Sequence, residues 1–236
     1  VKTDGVASAK FARHTASCRV DDNQLSSIQG KVAKFMAGIQ SKHHGDRRQK
    51  ILDTAANLFA SQGFNKTSVS QISSACNASK AWVYHYFETK DDMLFALLDD
   101  FLQKFRERVF DATNDENKEP AERLRAFILS SLRIYDEFRI NYPILYKEAI
   151  FLPQQQQDIL RIREKEIVDR LESILQKLRP RGIAPKRNKR AITLLVFGTI
   201  NWTYTWFDPD GRMSVDKLSD LIGDLLINGL MGLDSE

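Results

Sequence analysis

The stretch SSACNASKAWVYHYF, residues 73–87, places Lys80, Trp82, Tyr84, His85 and Tyr86 within seven consecutive positions. Aromatic residues at that density are usually buried, and a segment this short cannot bury all of them. Lys80, Tyr84 and His85 carry donors suited to phosphate oxygens, and the flat or methyl-bearing edges of Trp82 and Ala81 suit base edges. That is the chemistry of recognition, with no bond broken.

Local sequence signals explain how such a segment is positioned. Ser79 is placed to cap a short helix, leaving its first N–H groups turned toward a phosphate or base edge. Asn77 suits a tight turn because asparagine tolerates the left-handed region. Ala75 is small where two helices cross, while Val83 and Phe87 can point inward. Helix, tight turn, short helix is the outline of a helix-turn-helix whose second helix enters the DNA major groove. A short helix packed inside a bundle, with its tyrosines and histidine satisfied internally, is the other reading these residues allow.

The flanks are helical too. Ile51, Leu52, Ala55, Leu58 and Phe59 recur at the spacing of one buried helix face, and Gly63 follows as a stop. Thr67 or Ser68 can cap a second helix carrying Val69 and Ile72. Thr89 opens a longer helix, with Asp92 completing a capping-box pattern and Met93, Leu94, Leu97, Leu98, Phe101 and Phe105 as apolar positions. The polar TNDENKEP, residues 113–120, ends with proline at a helix start. Further helices are predicted at roughly 120–139, 143–152, 154–179, 187–207 and 214–232, separated by Pro153, Pro180 and the DPDG turn at 208–211. With no period-two alternation, the chain reads as all-α.

The chain's 236 residues allow one compact domain, or a small domain with a medium one. A net charge of +4 mildly favours a polyanionic partner. Cys18 and Cys76 stand far apart, so neither a disulfide framework nor a zinc site is expected, and a reducing cytoplasm is the simplest home. The start, VKTDGVASAKFARHTASCRV, does not read as a secretory signal, and no apolar run is long enough for a membrane span. Residues 1–45 read as a polar, flexible extension with one faintly amphipathic piece, Leu25–Met36. His43 and His44 read as linker.

The stretch from RRQKILDTAANLFASQGF at Arg47 through SKAWVYHYF to TKDDML resembles the N-terminal domain of the TetR family of transcriptional repressors. The resemblance covers the first helix, the Gly63-Phe64 corner, Thr67, the SK…YHYF core and TKDDML. It implies a three-helix helix-turn-helix DNA-binding domain at residues 46–92. It also implies a larger helical effector-binding and dimerisation domain at 93–236. Carried over by position, Thr67, Tyr84, His85 and Lys90 are implied as phosphate contacts, with Ser79 capping the recognition helix. Lys80, Ala81 and Trp82 are implied as groove-facing readers. Many members have Gly-Thr where this chain has Ala81-Trp82, so a base preference does not transfer.

In the second half, Leu194, Leu195, Gly198, Trp202 and Trp206 form one stripe. Leu218, Leu221, Ile222, Leu225, Leu226 and Gly229 form another. Two such faces with glycines suit a four-helix homodimer interface. The segment NWTYTWFDPDGRMS, 201–214, resembles a TetR subgroup whose members sense coenzyme A thioesters, including regulators of phenylacetate, fatty-acid and sterol breakdown. NYPILYKEAIF fits the same group. A CoA thioester needs an apolar tunnel with cations at its mouth. Phe138, Tyr142, Phe151, Trp202 and Trp206 could line such a tunnel; ordinary core packing explains them equally well. Arg161, Arg163 and the basic run Arg179–Arg190 could meet phosphates, and a solvated loop explains that run equally.

No catalytic residue, cofactor or metal site is expected. The DPDG turn resembles the start of a calcium loop, but Met213 and Ser219 stand where that loop needs glycine and glutamate. There is no Walker glycine loop, H-E-x-x-H or G-x-S-x-G. The expected partners are a double-stranded DNA operator, a second copy of the chain and an acyl-CoA or aromatic acyl-CoA effector, with no membrane. A non-CoA hydrophobic ligand, an effector-free DNA-binding protein and a helical enzyme are the alternatives.

Overall fold

The computed structural model describes residues 45–178 and 189–232. The expectations for the extension, for Leu25–Met36, His43, His44 and Cys18, and for most of the Arg179–Arg190 run lie outside the described residues. Among the described residues every regular element is helical. They are α1 (Gly45–Gln62), α2 (Val69–Ala75), α3 (Lys80–Tyr84), α4 (Lys90–Thr113), α5 (Pro120–Glu137) and α6 (Asn141–Glu148). After a 3-10 turn at Ala149–Phe151 follow α7 (Gln154–Leu178), α8 (Lys189–Trp202), a second 3-10 turn at Thr203–Thr205, and α9 (Val215–Met231). No described helix is long and apolar enough to cross a membrane. The all-α fold matches the expectation.

The boundaries have local causes. Gly63, at φ +86°, takes the left-handed conformation that stops α1 while its N–H bonds the Phe59 carbonyl at 3.0 Å. Ser68, rather than Thr67, caps α2, in a reciprocal capping box with Gln71. Thr89 and Asp92 exchange the corresponding bonds at the start of α4, at 3.0 and 3.1 Å. The helix predicted to continue to 207 stops at Trp202. Thr203 Oγ1 donates to the Ile200 carbonyl at 2.6 Å and Thr205 Oγ1 to the Trp202 carbonyl at 2.7 Å, within a tightened 3-10 turn ahead of Asp-Pro.

The chain divides into two compact units. One takes the chain up to Phe101 together with Ile140–Ile162; the other takes Leu102–Arg139 and Arg163–Glu236. Residues 140–162 thus group with the helix-turn-helix region.

In the first unit Ile51, Leu52, Ala55, Phe59, Ile72, Val83, Phe87, Met93, Leu94 and Leu98 are buried. Each large one contributes roughly 1.5–3 kcal/mol by leaving water. The Phe64 ring meets Phe59 edge-on at 5.2 Å and stacks on Phe151 at 6.3 Å, which ties the α1–α2 corner to the turn after α6. Gln156 Nε2 donates to Asp92 Oδ1 at 3.1 Å, so the start of α7 holds the start of α4.

In the second unit α9 packs along α5. Gly223 permits the approach, since a Cβ there would lie 2.7 Å from Arg125 Nη1. Ion pairs Arg125–Asp224 (2.5 Å) and Arg133–Asp216 (2.9 Å) lace the edge. Exposed pairs contribute at most about 1 kcal/mol each, so apolar burial at Leu218, Ile222 and Leu230 decides the packing. At the end of α4 the Thr113 carbonyl accepts from Arg123 Nε (3.1 Å) and Arg170 Nη2 (2.5 Å). Arg123 is 2% exposed and one of its terminal nitrogens has no partner. Burial, then the Arg123 charge, pushes the Arg170 guanidinium below its ordinary value, and Glu116 opposes the shift.

Candidate nucleic-acid interface

The helix-turn-helix is assembled by backbone geometry that the sequence encodes residue by residue. α2 ends at Cys76, whose N–H bonds the Ile72 carbonyl at 2.9 Å. Asn77 then adopts φ +54°, the one non-glycine residue in the left-handed region among the described residues. That reversal returns the Ala78 N–H to the Ser73 carbonyl at 2.9 Å and sets Ser79 as the N-cap of α3, its Oγ accepting from Trp82 N–H at 3.1 Å. Each serine cap contributes about 1 kcal/mol. Val83 and Phe87 anchor the helix inward, as expected.

What remains outside is the candidate recognition surface. Ser79, Lys80, Ala81, Tyr84 and His85 are exposed, Tyr84 by 50%. Trp82 is half-buried and meets Tyr86 edge-on at 5.3 Å, so part of the indole is committed to the domain. His85 packs edge-on against Tyr86 at 5.2 Å. Beside the start of α3 lies a cavity of about 340 Å³ lined by Arg47, Lys50, Cys76, Asn77, Ala78, Ser79 and Trp82. Cys76 is a buried free thiol that approaches the Lys50 carbonyl at 3.9 Å.

Two residues implied as phosphate contacts are engaged internally. Thr67 is 2% exposed; its hydroxyl donates to the Gly63 carbonyl at 2.9 Å and accepts from Gln62 Nε2 at 3.0 Å. Lys90 Nζ donates to the Phe64 carbonyl at 2.7 Å and the Thr67 carbonyl at 2.9 Å, and sits 4.1 Å from the Phe64 ring centroid. Both therefore hold the α1–α2 corner in place. Arg48 lies 5.2 Å from the Phe87 ring centroid; its burial lowers the guanidinium's pKa, and Asp100 opposes that.

The residues implied as effector-binding are divided between the units. Tyr142, Phe151 and Arg161 belong to the first; Phe138, Arg163, Trp202 and Trp206 to the second. Phe151 stacks on Phe64 and is 45% exposed. Arg161 is paired with Asp158 at 2.5 Å and bonds Gln157 Oε1 at 3.1 Å. The side chain of Tyr142 lies outside the described set. Phe138 ends α5, half-buried, with Lys104 Nζ 5.2 Å from its ring centroid. Arg163 is half-buried. Trp202 and Trp206 are 56% and 58% exposed, which does not fit the wall of an enclosed tunnel within one chain.

Sequence reasoning missed a buried polar pair in the second unit, Tyr135 Oη donating to Asn201 Oδ1, with Tyr135 edge-on to Phe105 at 5.3 Å. An asparagine in the apolar run TLLVFGTINW was the available signal. It also missed Arg47 and Lys50, whose three-residue spacing places them on one side of α1.

Two family models cover most of the chain. One described as bacterial regulatory proteins of the tetR family matches residues 51–97, and one described as a tetracyclin repressor-like C-terminal domain matches 117–230. A TetR-family transcriptional regulator from Bordetella parapertussis is 32% identical, with 80% of this chain and 98% of that one covered at a TM-score of 0.72. The chain belongs to the TetR family of transcriptional regulators. This TetR-family chain is also similar to the fatty acid metabolism regulator protein of Bacillus subtilis, at 24% identity over 80% of this chain and 98% of the relative. A solved structure of AibR in complex with isovaleryl coenzyme A and operator DNA is 28% identical, covering 78% of this chain and 97% of that one, at a TM-score of 0.65. The family consists of regulators, so the reading as a regulator and not an enzyme stands.

Proposed function

We propose that this TetR-family chain is a repressor that binds a palindromic operator as a homodimer and is released by a coenzyme A thioester. The likeness to AibR carries the reading, because that relative is held with both operator DNA and an acyl-CoA. The exposed face of α3 supports the DNA half of it. For the dimer, the support is apolar area left in water. Leu195, Trp202 and Trp206 are 71%, 56% and 58% exposed, and Leu221, Leu225 and Met231 are 47%, 66% and 55% exposed. That is more large apolar surface than a monomer usually leaves bare. Gly198 and Gly229, where an added Cβ would meet nothing within 4 Å, leave room for a partner helix. On this reading Trp202 and Trp206 serve the dimer face.

The acyl group then enters the second unit among α4, α5 and α8, which carry the buried Phe105, Phe127 and Ile200 and the Tyr135–Asn201 pair. A few placed polar groups in a mostly apolar setting are what orient a small ligand. Phe138 and Arg163 remain candidates beside it. Release requires that the effector bind the DNA-incompetent state more tightly, by roughly 1–3 kcal/mol or more, and operator DNA must weaken effector binding equally. Two recognition helices must span major-groove segments about 34–36 Å apart, so a few ångströms of displacement suffices.

The test is a gel shift on the DNA upstream of the protein's own gene, challenged with CoA thioesters and the matching free acids. Release by one or more thioesters and by no free acid is expected. Release by a free acid alone would replace the CoA thioester with a non-CoA ligand. Binding untouched by every compound would favour an effector-free DNA-binding protein.

A further inference from the structure

The cavity beside α3 is not accounted for by base reading. Its lining carries two cations, Arg47 and Lys50, both exposed, and no acidic residue. The lining also includes the half-buried indole of Trp82, which meets Tyr86 edge-on. The floor is the Cys76–Ser79 turn, where Ser79 Oγ accepts from Trp82 N–H and keeps its O–H for donation. Two cations, an aromatic face and a polar turn lining one cavity match one chemical unit, an anionic phosphodiester joined to a C–H-bearing deoxyribose.

We propose that this notch grips the sugar–phosphate backbone of the operator, with Arg47 and Lys50 on a phosphate and Trp82 against the adjoining sugar. The inference rests on the reading of α3 as the groove-entering helix and adds a second element, α1, to the contact. When a helix enters the major groove, the strand bordering the groove passes alongside its first turn, and the notch opens beside that turn. Backbone contacts fix register and carry no sequence information, which changes the role of Trp82. Base reading then falls to Lys80 and Ala81, which are fully on the exposed side.

Each phosphate neutralised steepens the fall of log K with log salt by about 0.9. The experiment measures fluorescence anisotropy across a salt series for the full chain. The probes are the strongest duplex recovered by selection from a randomised library and a scrambled duplex. Arg47→Ala with Lys50→Ala should lower the slope by about 0.9, for the one phosphate they share, and weaken both duplexes by the same factor. Trp82→Ala should weaken both alike and leave the selected sequence unchanged, while Trp82→Phe retains most of the affinity. Circular dichroism confirms that each variant is folded. A folded double variant with an unchanged slope, or a Trp82→Ala protein that selects a different sequence, overturns the proposal while leaving the operator reading intact. A wild-type chain that binds neither duplex overturns both.

Discussion

Lys90 shows how a side chain implied as a DNA contact is also tied into the fold. The family pattern makes it a phosphate contact, yet its ammonium donates to the Phe64 and Thr67 carbonyls and covers the Phe64 ring. Lys90→Ala leaves two carbonyls without that donor and should lower stability by about 1–3 kcal/mol in urea unfolding. A variant as stable as wild type, with a salt slope smaller by about 0.9, would return Lys90 to the DNA. Tyr135→Phe makes a parallel case in the second unit. It removes one donor to the Asn201 oxygen in a site where Asn201 is 6% exposed, and should cost about 0.5–1.5 kcal/mol. An unchanged urea midpoint would mean that Asn201 has another donor. The short helix itself was legible in the sequence because Ser79, Asn77, Val83 and Phe87 act locally. The inward turn of Thr67 and Lys90 was not, since the carbonyls they serve are placed by tertiary packing.

Among the elements, α4 has side chains from other helices holding both of its ends. Its start is capped by Thr89 and tied to α7 through Asp92 and Gln156, and its last carbonyl, that of Thr113, is held by Arg123 and Arg170. The two guanidiniums are not equivalent. Arg123 is buried with an orphan nitrogen beside a second positive charge, and the Thr113 carbonyl keeps Arg170 if Arg123 is lost. An orphan buried donor costs about 1–3 kcal/mol, more than the roughly 1 kcal/mol net value of one hydrogen bond. Arg123→Met should therefore be neutral or stabilising in thermal unfolding, whereas Arg170→Ala should destabilise. A loss above about 2 kcal/mol for Arg123→Met would show that its bond to Thr113 dominates. Helix periodicity exposed α1, α4, α5 and α9 in the sequence. It did not reveal the break after Trp202, because Thr203 and Thr205 redirect backbone carbonyls through their own hydroxyls.

For the molecule as a whole, the unpartnered apolar stripe on α8 and α9 sets the expectation. Leu225→Glu places a charge on the most exposed leucine of α9. It should convert the chain to a monomer in sedimentation velocity and abolish tight operator binding, since one half-site offers half the contacts. A wild-type monomer at micromolar concentration would remove the dimer. The exposed stripe was visible as two apolar faces, but the sequence left Trp202 and Trp206 open between that stripe, a tunnel wall and the core, because aromatic content alone does not say which side of a helix is covered. The stack of Phe64 on Phe151, with Gln156 on Asp92, bears on how regulators of this kind can be recombined. A chimera joined near residue 92, carrying one relative's DNA-reading half on another's sensing half, would separate both of those pairs. A graft that keeps its own residues 140–162 along with the first helices would transplant an intact module, and specificity could then be exchanged without rebuilding the joint.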